Sequence, residues 1–204
     1  MATLSFPAAT RELAALGRRF YGRDWVLGTS GNFSVVMSRT PLRLAITASS
    51  RHKGALASKD FLQVDGDGRA IGRPAAKPSA ETLLHTTIAR ARGAGAVLHT
   101  HSVWSTILTD RHSRDDALII ESFEMLKGLA GIGTHAHRER VPIVDNDQDM
   151  ERLSTVVRSV LEREPAAHAI LLRRHGLYTW GETLADAERH VEILEFLFEV
   201  MGRR

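Results

Sequence analysis

Two hydrophobic periods alternate along this 204-residue chain, and that alternation limits the folds open to it. Short β-branched runs bounded by turn residues read as strands at 33–37, 42–47 and 60–64, the last ended by Asp65-Gly66-Asp67-Gly68. Further strands are expected at 96–98, running into His99-Thr100-His101, and at 141–144, 168–172 and 177–180. Between them the period changes to that of a helix. Ala9, Leu13, Leu16 and Phe20 share a face over 7–20. A second helix is expected after Pro74 and Pro78, capped by Ser79, with Leu84, Ile88 and Ala91 as its apolar face, broken at Gly93–Gly95. Helices are also expected from Val103, over 122–130, over 148–163 (Met150, Leu153, Val157, Leu161) and from Thr183 to about Val200 (Leu184, Ala187, Val191, Leu194, Phe198). Interleaved strands and helices predict one α/β domain over residues 1–204, with helices packed on a central sheet. Local pattern does not fix the strand order.

Composition removes several functions. With no cysteine there is no disulfide framework, no thiolate metal site and no thiol nucleophile, so a transition metal would need His and carboxylates. Lys+Arg exceeds Asp+Glu by 27 to 24, the basic residues are scattered, and aromatics are 6%, which is not a nucleic-acid footprint. No run approaches the roughly 18 apolar residues of a membrane span, and without a basic region followed by an apolar run near residue 1 no secretory signal is expected. A cytoplasmic protein without nucleic-acid or membrane partners is expected.

The ten histidines are the chemical clue. His99 and His101 stand two apart at a strand end, so both imidazoles point to one face. A second strand end, Leu172-Arg173-Arg174-His175-Gly176, offers a third imidazole beside a turn-forming glycine. His135-Ala136-His137 lies among glycines and arginines and reads as a polar loop at the surface or the edge of a substrate site. Two carboxylates are candidates for acid–base work. Glu81 stands at a helix start, where the helix dipole favours its charged form, and Glu124 lies in Glu124-Met125-Leu126-Lys127-Gly128. Gly28–Asn32, Thr47–Gly54 and Ser79 supply the small residues, hydroxyls and backbone N–H groups that cradle phosphate, without a Walker A or Gly-x-Gly-x-x-Gly pattern.

Taken in order, Gly28-Thr29-Ser30-Gly31-Asn32, Ile46-Thr47-Ala48-Ser49, Pro78-Ser79-Ala80-Glu81, Val97–Ser102 and His175-Gly176 with Trp180-Gly181 resemble the class II aldolase/adducin family over nearly the whole chain. Lys77–Leu84, Ala94–Ser102, Glu124–Gly128 and Val141–Asn146 are most similar to its bacterial dehydratase branch, which removes water from 5-methylthioribulose 1-phosphate in methionine salvage. The resemblance implies a three-layer α/β/α domain with a mainly antiparallel sheet, commonly assembled as a homotetramer with sites near subunit contacts. It implies one zinc ion per subunit on His99, His101 and His175. It implies a phosphorylated ketose held by Gly31, Asn32, Thr47, Ser49, Ser50, Lys53 and Ser79. The dehydratase branch points to Glu124 as the acid/base and the aldolase branch to Glu81; Glu124 is favoured. The aldolase branch also uses a tyrosine between the paired histidines and the later strand, an interval without tyrosine here. A sugar-phosphate aldolase or epimerase, and a non-catalytic adducin-like interaction module, are the competing readings.

Overall fold

A computed structural model of the protein describes residues 4–72 and 76–204; the expected breaker Pro74 falls outside them. Eight strands form one sheet in the order β3-β2-β1-β4-β8-β7-β6-β5. They are β1 (Asn32–Arg39), β2 (Leu42–Thr47), β3 (Phe61–Asp65), β4 (Ala96–Thr100), β5 (Ala117–Glu121), β6 (Arg138–Val144), β7 (Ala169–Leu172) and β8 (Gly176–Gly181). Six of the seven neighbouring pairs run antiparallel, and only β6–β7 is parallel. The helices are α1 (Phe6–Tyr21), α2 (Thr82–Arg92), α3 (Val103–Arg111), α4 (Met150–Arg163) and α5 (Leu184–Gly202).

Strand alternation sorts the core into layers. Ala96 and Leu98 of β4 pack with Leu13 and Phe20 of α1 and Val191 of α5. Val97, between them, packs on the other face with Leu84 and Ile88 of α2 and Leu153 and Val157 of α4. Leu171 and Leu177 join Leu108 of α3 and Leu194 and Phe198 of α5. Helices therefore cover both faces of the sheet: α1, α3 and α5 on one, α2 and α4 on the other. The caps follow the sequence. The Ser5 side chain accepts from Ala8 N–H, Asp149 from Glu151 and Arg152, and Thr183 with Asp186 forms a reciprocal capping box.

Four local expectations are corrected. Residues 122–130 form only a short 3-10 helix, Glu124–Gly128, because Leu126 and Leu129 are the buried pair and their spacing of three suits that tighter turn. Ala117–Glu121, which local pattern assigns to no element, is a strand paired solely with β6 at the sheet edge. The α2 face that packs inward is Leu84, His85, Ile88 and Ala89, whereas Ala91 is exposed. Ser79 does not cap α2: Glu81 holds that position, and Ser79 Oγ accepts the Glu81 N–H at 3.3 Å.

Candidate metal centre and anion pocket

His99 lies in the register that points to the α2/α4 face. β4 pairs with β8 so that His99 stands opposite Tyr178, and the two rings stack with centroids 3.9 Å apart. His99 is fully buried. Its Nδ1–H donates to the Leu177 carbonyl at 3.0 Å, which turns Nε2 toward the cluster. His101, past the strand end, is held by its backbone N–H on the Trp25 carbonyl at 2.8 Å, and its Nε2 comes within 2.8 Å of His99 Nε2. His175 sits in the β7–β8 turn, where Arg174 takes φ +54°. Its Nδ1–H donates to Asn146 Oδ1 at 3.1 Å, again turning Nε2 toward the cluster.

Glu81 completes the cluster, with Oε1 3.4 Å from His99 Nε2 and 3.1 Å from His175 Nε2. One donor atom from each of Glu81, His99, His101 and His175 lies within 4.8 Å of every other. Two imidazoles already donate their other N–H, and a carboxylate stands beside them. That donor set suits a divalent transition ion. Burial pushes the Glu81 carboxyl up, but His99 and His175 outweigh it and hold it well below the usual carboxylate range. Burial, with His99 and His175 alongside, pushes His101 down to about 3, so its ring is a neutral potential ligand.

Against this cluster lies a pocket of about 180 Å³ lined by Thr29, Ser30, Gly31, Asn32, Ser49, Ser50, Lys53, Ser79, Glu81 and His101. Larger clefts, such as one of about 560 Å³ beside Pro142 and Leu153, include none of the four cluster residues. Lys53 is buried and donates to the Thr29 carbonyl at 2.8 Å and the Arg51 carbonyl at 2.7 Å, so one ammonium ties the two loops together. Burial lowers its pKa to about 8 while Glu81 pulls it up, which leaves it mostly charged at neutral pH. Gly31 has φ +71°, and a Cβ there would lie 2.6 Å from the His99 carbonyl oxygen. Gly31→Ala is therefore expected to cost about 2–4 kcal/mol from backbone strain plus overlap. A thermal melt reads that loss, and an unchanged melting temperature would refute it.

Residues 11–201 match the family described as Class II Aldolase and Adducin N-terminal domain. The chain belongs to the class II aldolase and adducin family. Among its relatives, the chain is 50% identical over 200 residues to the methylthioribulose-1-phosphate dehydratase of Methylococcus capsulatus, covering 97% of this chain and 95% of that protein. To the protein of the same name from Pseudomonas aeruginosa it is 46% identical over 191 residues, covering 93% and 91%. The fold matches an L-fuculose 1-phosphate aldolase with a TM-score of 0.78 at 21% identity, covering 98% of this chain and 87% of the other. The L-fuculose-1-phosphate aldolase of Thermus thermophilus gives 0.72 at 24% identity, covering 96% and 93%.

Within this class II aldolase-family fold, the structure brings together His99, His101, His175 and Glu81, with Gly31, Asn32, Ser49, Ser50, Lys53 and Ser79 around the adjoining pocket. Thr47 is elsewhere: it is buried, and its Oγ1 accepts the Phe33 N–H at 3.1 Å, joining β1 to β2. Glu124 is not brought to the histidines of its own chain. Its side chain is 72% exposed and paired with Lys127 at 2.8 Å, with His135 3.8 Å away. Its segment is rooted on the α5 side through Leu126 and Leu129, across the sheet from His99. His135 is exposed and His137 bonds Glu139 at 2.8 Å; neither belongs to the cluster. Three buried polar residues are not singled out by sequence pattern. His85 and Ser34 bond each other at 2.8 Å beneath Asn32. Glu195 accepts from Thr100 Oγ1 at 3.1 Å behind β4, and burial pushes its carboxyl up to about 7. For Glu195 a signal does exist, since the helical period makes it one charge in an apolar stripe.

Proposed function

We propose that this chain is a methylthioribulose-1-phosphate dehydratase. It would convert 5-methylthioribulose 1-phosphate to the 2,3-diketo-5-methylthiopentyl 1-phosphate in methionine salvage. The observation that carries the proposal is a three-histidine, one-glutamate cluster adjoining a small hydroxyl- and lysine-lined pocket, in a chain about half identical to proteins of that name over nearly its full length. The ion is zinc, one per subunit, on His99, His101 and His175. Three neutral imidazoles are a common catalytic zinc set with a position left open. When bound, the ion supplies Lewis-acid polarisation of the substrate ketone.

The chain's own groups do the rest. Lys53, Ser49, Ser50, Ser79 and the Gly31–Asn32 backbone hold the phosphate, which fixes the reacting carbons without itself reacting. Glu124 takes the proton from the carbon beside the ketone. The hydroxyl on the next carbon leaves and receives that proton as water, and the resulting enol ketonises to the 2,3-diketone. Glu81 is the second carboxylate candidate and acts through placement. Because Glu124 lies away from its own chain's histidines, it serves a neighbouring subunit's site in a cytoplasmic homotetramer of single-domain chains. An aldolase or epimerase would use the same cluster, but no tyrosine lies between His101 and His175. An adducin-like module would have no need of an intact ligand set.

Purified protein given 5-methylthioribulose 1-phosphate is expected to release a product lighter by one water, with no aldehyde fragment, by mass spectrometry. Cleavage of ketose 1-phosphates into two carbon fragments, without that dehydration, would replace this reading with the aldolase one.

A further inference from the structure

Beneath the cluster runs a line of four polar groups, of which Ser34, His85 and Asn32 are buried and Glu81 half-buried. Glu81 and His85 stand four residues apart at the start of α2 and so share one helix face. His85 is wholly buried. Its Nε2 meets Asn32 Oδ1, and its Nδ1 meets Ser34 Oγ at 2.8 Å. Asn32 Nδ2 lies 2.6 Å from Glu81 Oε2. We propose that His85 is a positioning residue which, through Asn32, holds the Glu81 carboxylate in a single orientation against the three histidines.

With a neutral His85 ring, one placement of protons satisfies the line. A carboxylate accepts and does not donate, so Asn32 presents its NH2 to Glu81 and its oxygen to His85. That oxygen also only accepts, so His85 carries its proton on Nε2. Burial first, and His99 second, push the His85 pKa down to about 3, so the ring is neutral and Nδ1 is bare. Ser34 then donates to Nδ1; its alternative acceptor, the Val97 carbonyl, is farther away at 3.4 Å. The chain of donors runs one way: Ser34 to His85 to Asn32 to Glu81. With Oε2 held, Oε1 is left facing His99 and His175.

This also reassigns Asn32. Its carboxamide oxygen is spent on His85 and its amide on Glu81, with Ser79 Oγ at 3.4 Å as the other neighbour. Its side chain therefore supports the carboxylate, and any role toward phosphate falls to its backbone. His85 sits in the row of α2 that packs inward, where an apolar residue would otherwise stand. Every polar atom of its ring is partnered, which is what a buried imidazole requires.

The inference deepens the metal-site reading above, but its test needs no substrate. Long-range proton–nitrogen spectra of the imidazoles in metal-free protein at neutral pH are expected to show His85 as the neutral, Nε2-protonated tautomer. A protonated ring, or the Nδ1–H tautomer, would overturn the proposed direction. Two substitutions then separate positioning from packing. His85→Gln can still aim an N–H at Asn32, whereas His85→Leu fills similar space without one. Zinc affinity, measured by chelator competition, is expected to fall about 10–100-fold in His85→Leu and to be largely restored in His85→Gln. Should His85→Leu fail to fold, Asn32→Asp keeps an acceptor for His85 but sets a carboxylate against Glu81, and the same loss is expected. Wild-type zinc affinity in the folded Leu or Asp variant would end the proposal. Failure of the dehydration assay alone would leave it standing.

Discussion

His99→Ala is expected to remove bound metal and turnover together. His99 is the hub of the cluster: its Nε2 is 2.8 Å from that of His101 and 3.4 Å from Glu81 Oε1, while its Nδ1–H is fixed on the Leu177 carbonyl. Alanine leaves two imidazoles and a carboxylate, without the one fully buried ring of the set. Zinc is expected to fall from about one per subunit to near none. Lost Lewis-acid stabilisation is worth several kcal/mol, so turnover should fall on the order of 10³-fold or more. Stability supplies a second reading. Free zinc at about 1,000 times its Kd stabilises a native site by roughly 4 kcal/mol. Chelator should therefore lower the melting temperature of the wild type and leave that of the variant unmoved. His135→Ala and His137→Ala, outside the cluster, should keep their metal. Full zinc occupancy in His99→Ala would mean that the ligands are misassigned.

The cluster is partly legible in the sequence because one half of it is local and the other is not. That His99 and His101 share a face follows from the two-residue period of a strand. The arrival of His175 depends on β8 lying beside β4, a pairing between segments some 80 residues apart that no local pattern records. Motif resemblance supplies what periodicity lacks. The helices are plain in the sequence where one face is apolar and the ends are capped, as with α1, α4 and α5. On α2 the apolar period points to Ala91 as core and passes over His85, because a histidine in a helical pattern looks polar until its partners are seen. Those partners, Asn32 and Ser34, come from β1, and their convergence is again non-local. Edge strand β5 is hidden for a related reason. Five residues paired on one side carry little alternation, and the charged stretch before them obscures their start.

The same distinction governs Glu124, whose place near the histidines in sequence says little about its place in the fold. Its segment is held from below. Leu126 and Leu129 are buried against Leu194 and Leu197 of α5. Past them, the Ala130 N–H donates to His190 Nε2 at 3.1 Å, and the Ala130 carbonyl accepts from His168 Nε2 at 2.8 Å. Burial opposes a charge on His168 but the buried Glu139 carboxylate beneath it raises its pKa, and its two ring nitrogens face acceptors, Glu139 and the Ala130 carbonyl. A segment so anchored lies across the sheet from its own cluster, so in the proposed mechanism Glu124 would act on a neighbour's site. Glu124→Gln should retain zinc and lose about 10²–10⁴-fold in turnover, the usual range for a missing proton shuttle. Glu81→Gln should do less to turnover and more to metal and substrate binding. The deciding measurement mixes two inactive proteins. His175→Ala subunits keep Glu124, and Glu124→Gln subunits keep the ligands. Random tetramers then contain sites with an intact ligand set facing an intact Glu124 in about one case in four. Activity returning toward that fraction after co-refolding places the acid/base across the subunit contact. A mixture that stays dead, or a monomer by light scattering at assay concentration, rules that arrangement out. A dead Glu81→Gln beside a near-normal Glu124→Gln would exchange the two roles and draw the site toward aldolase chemistry.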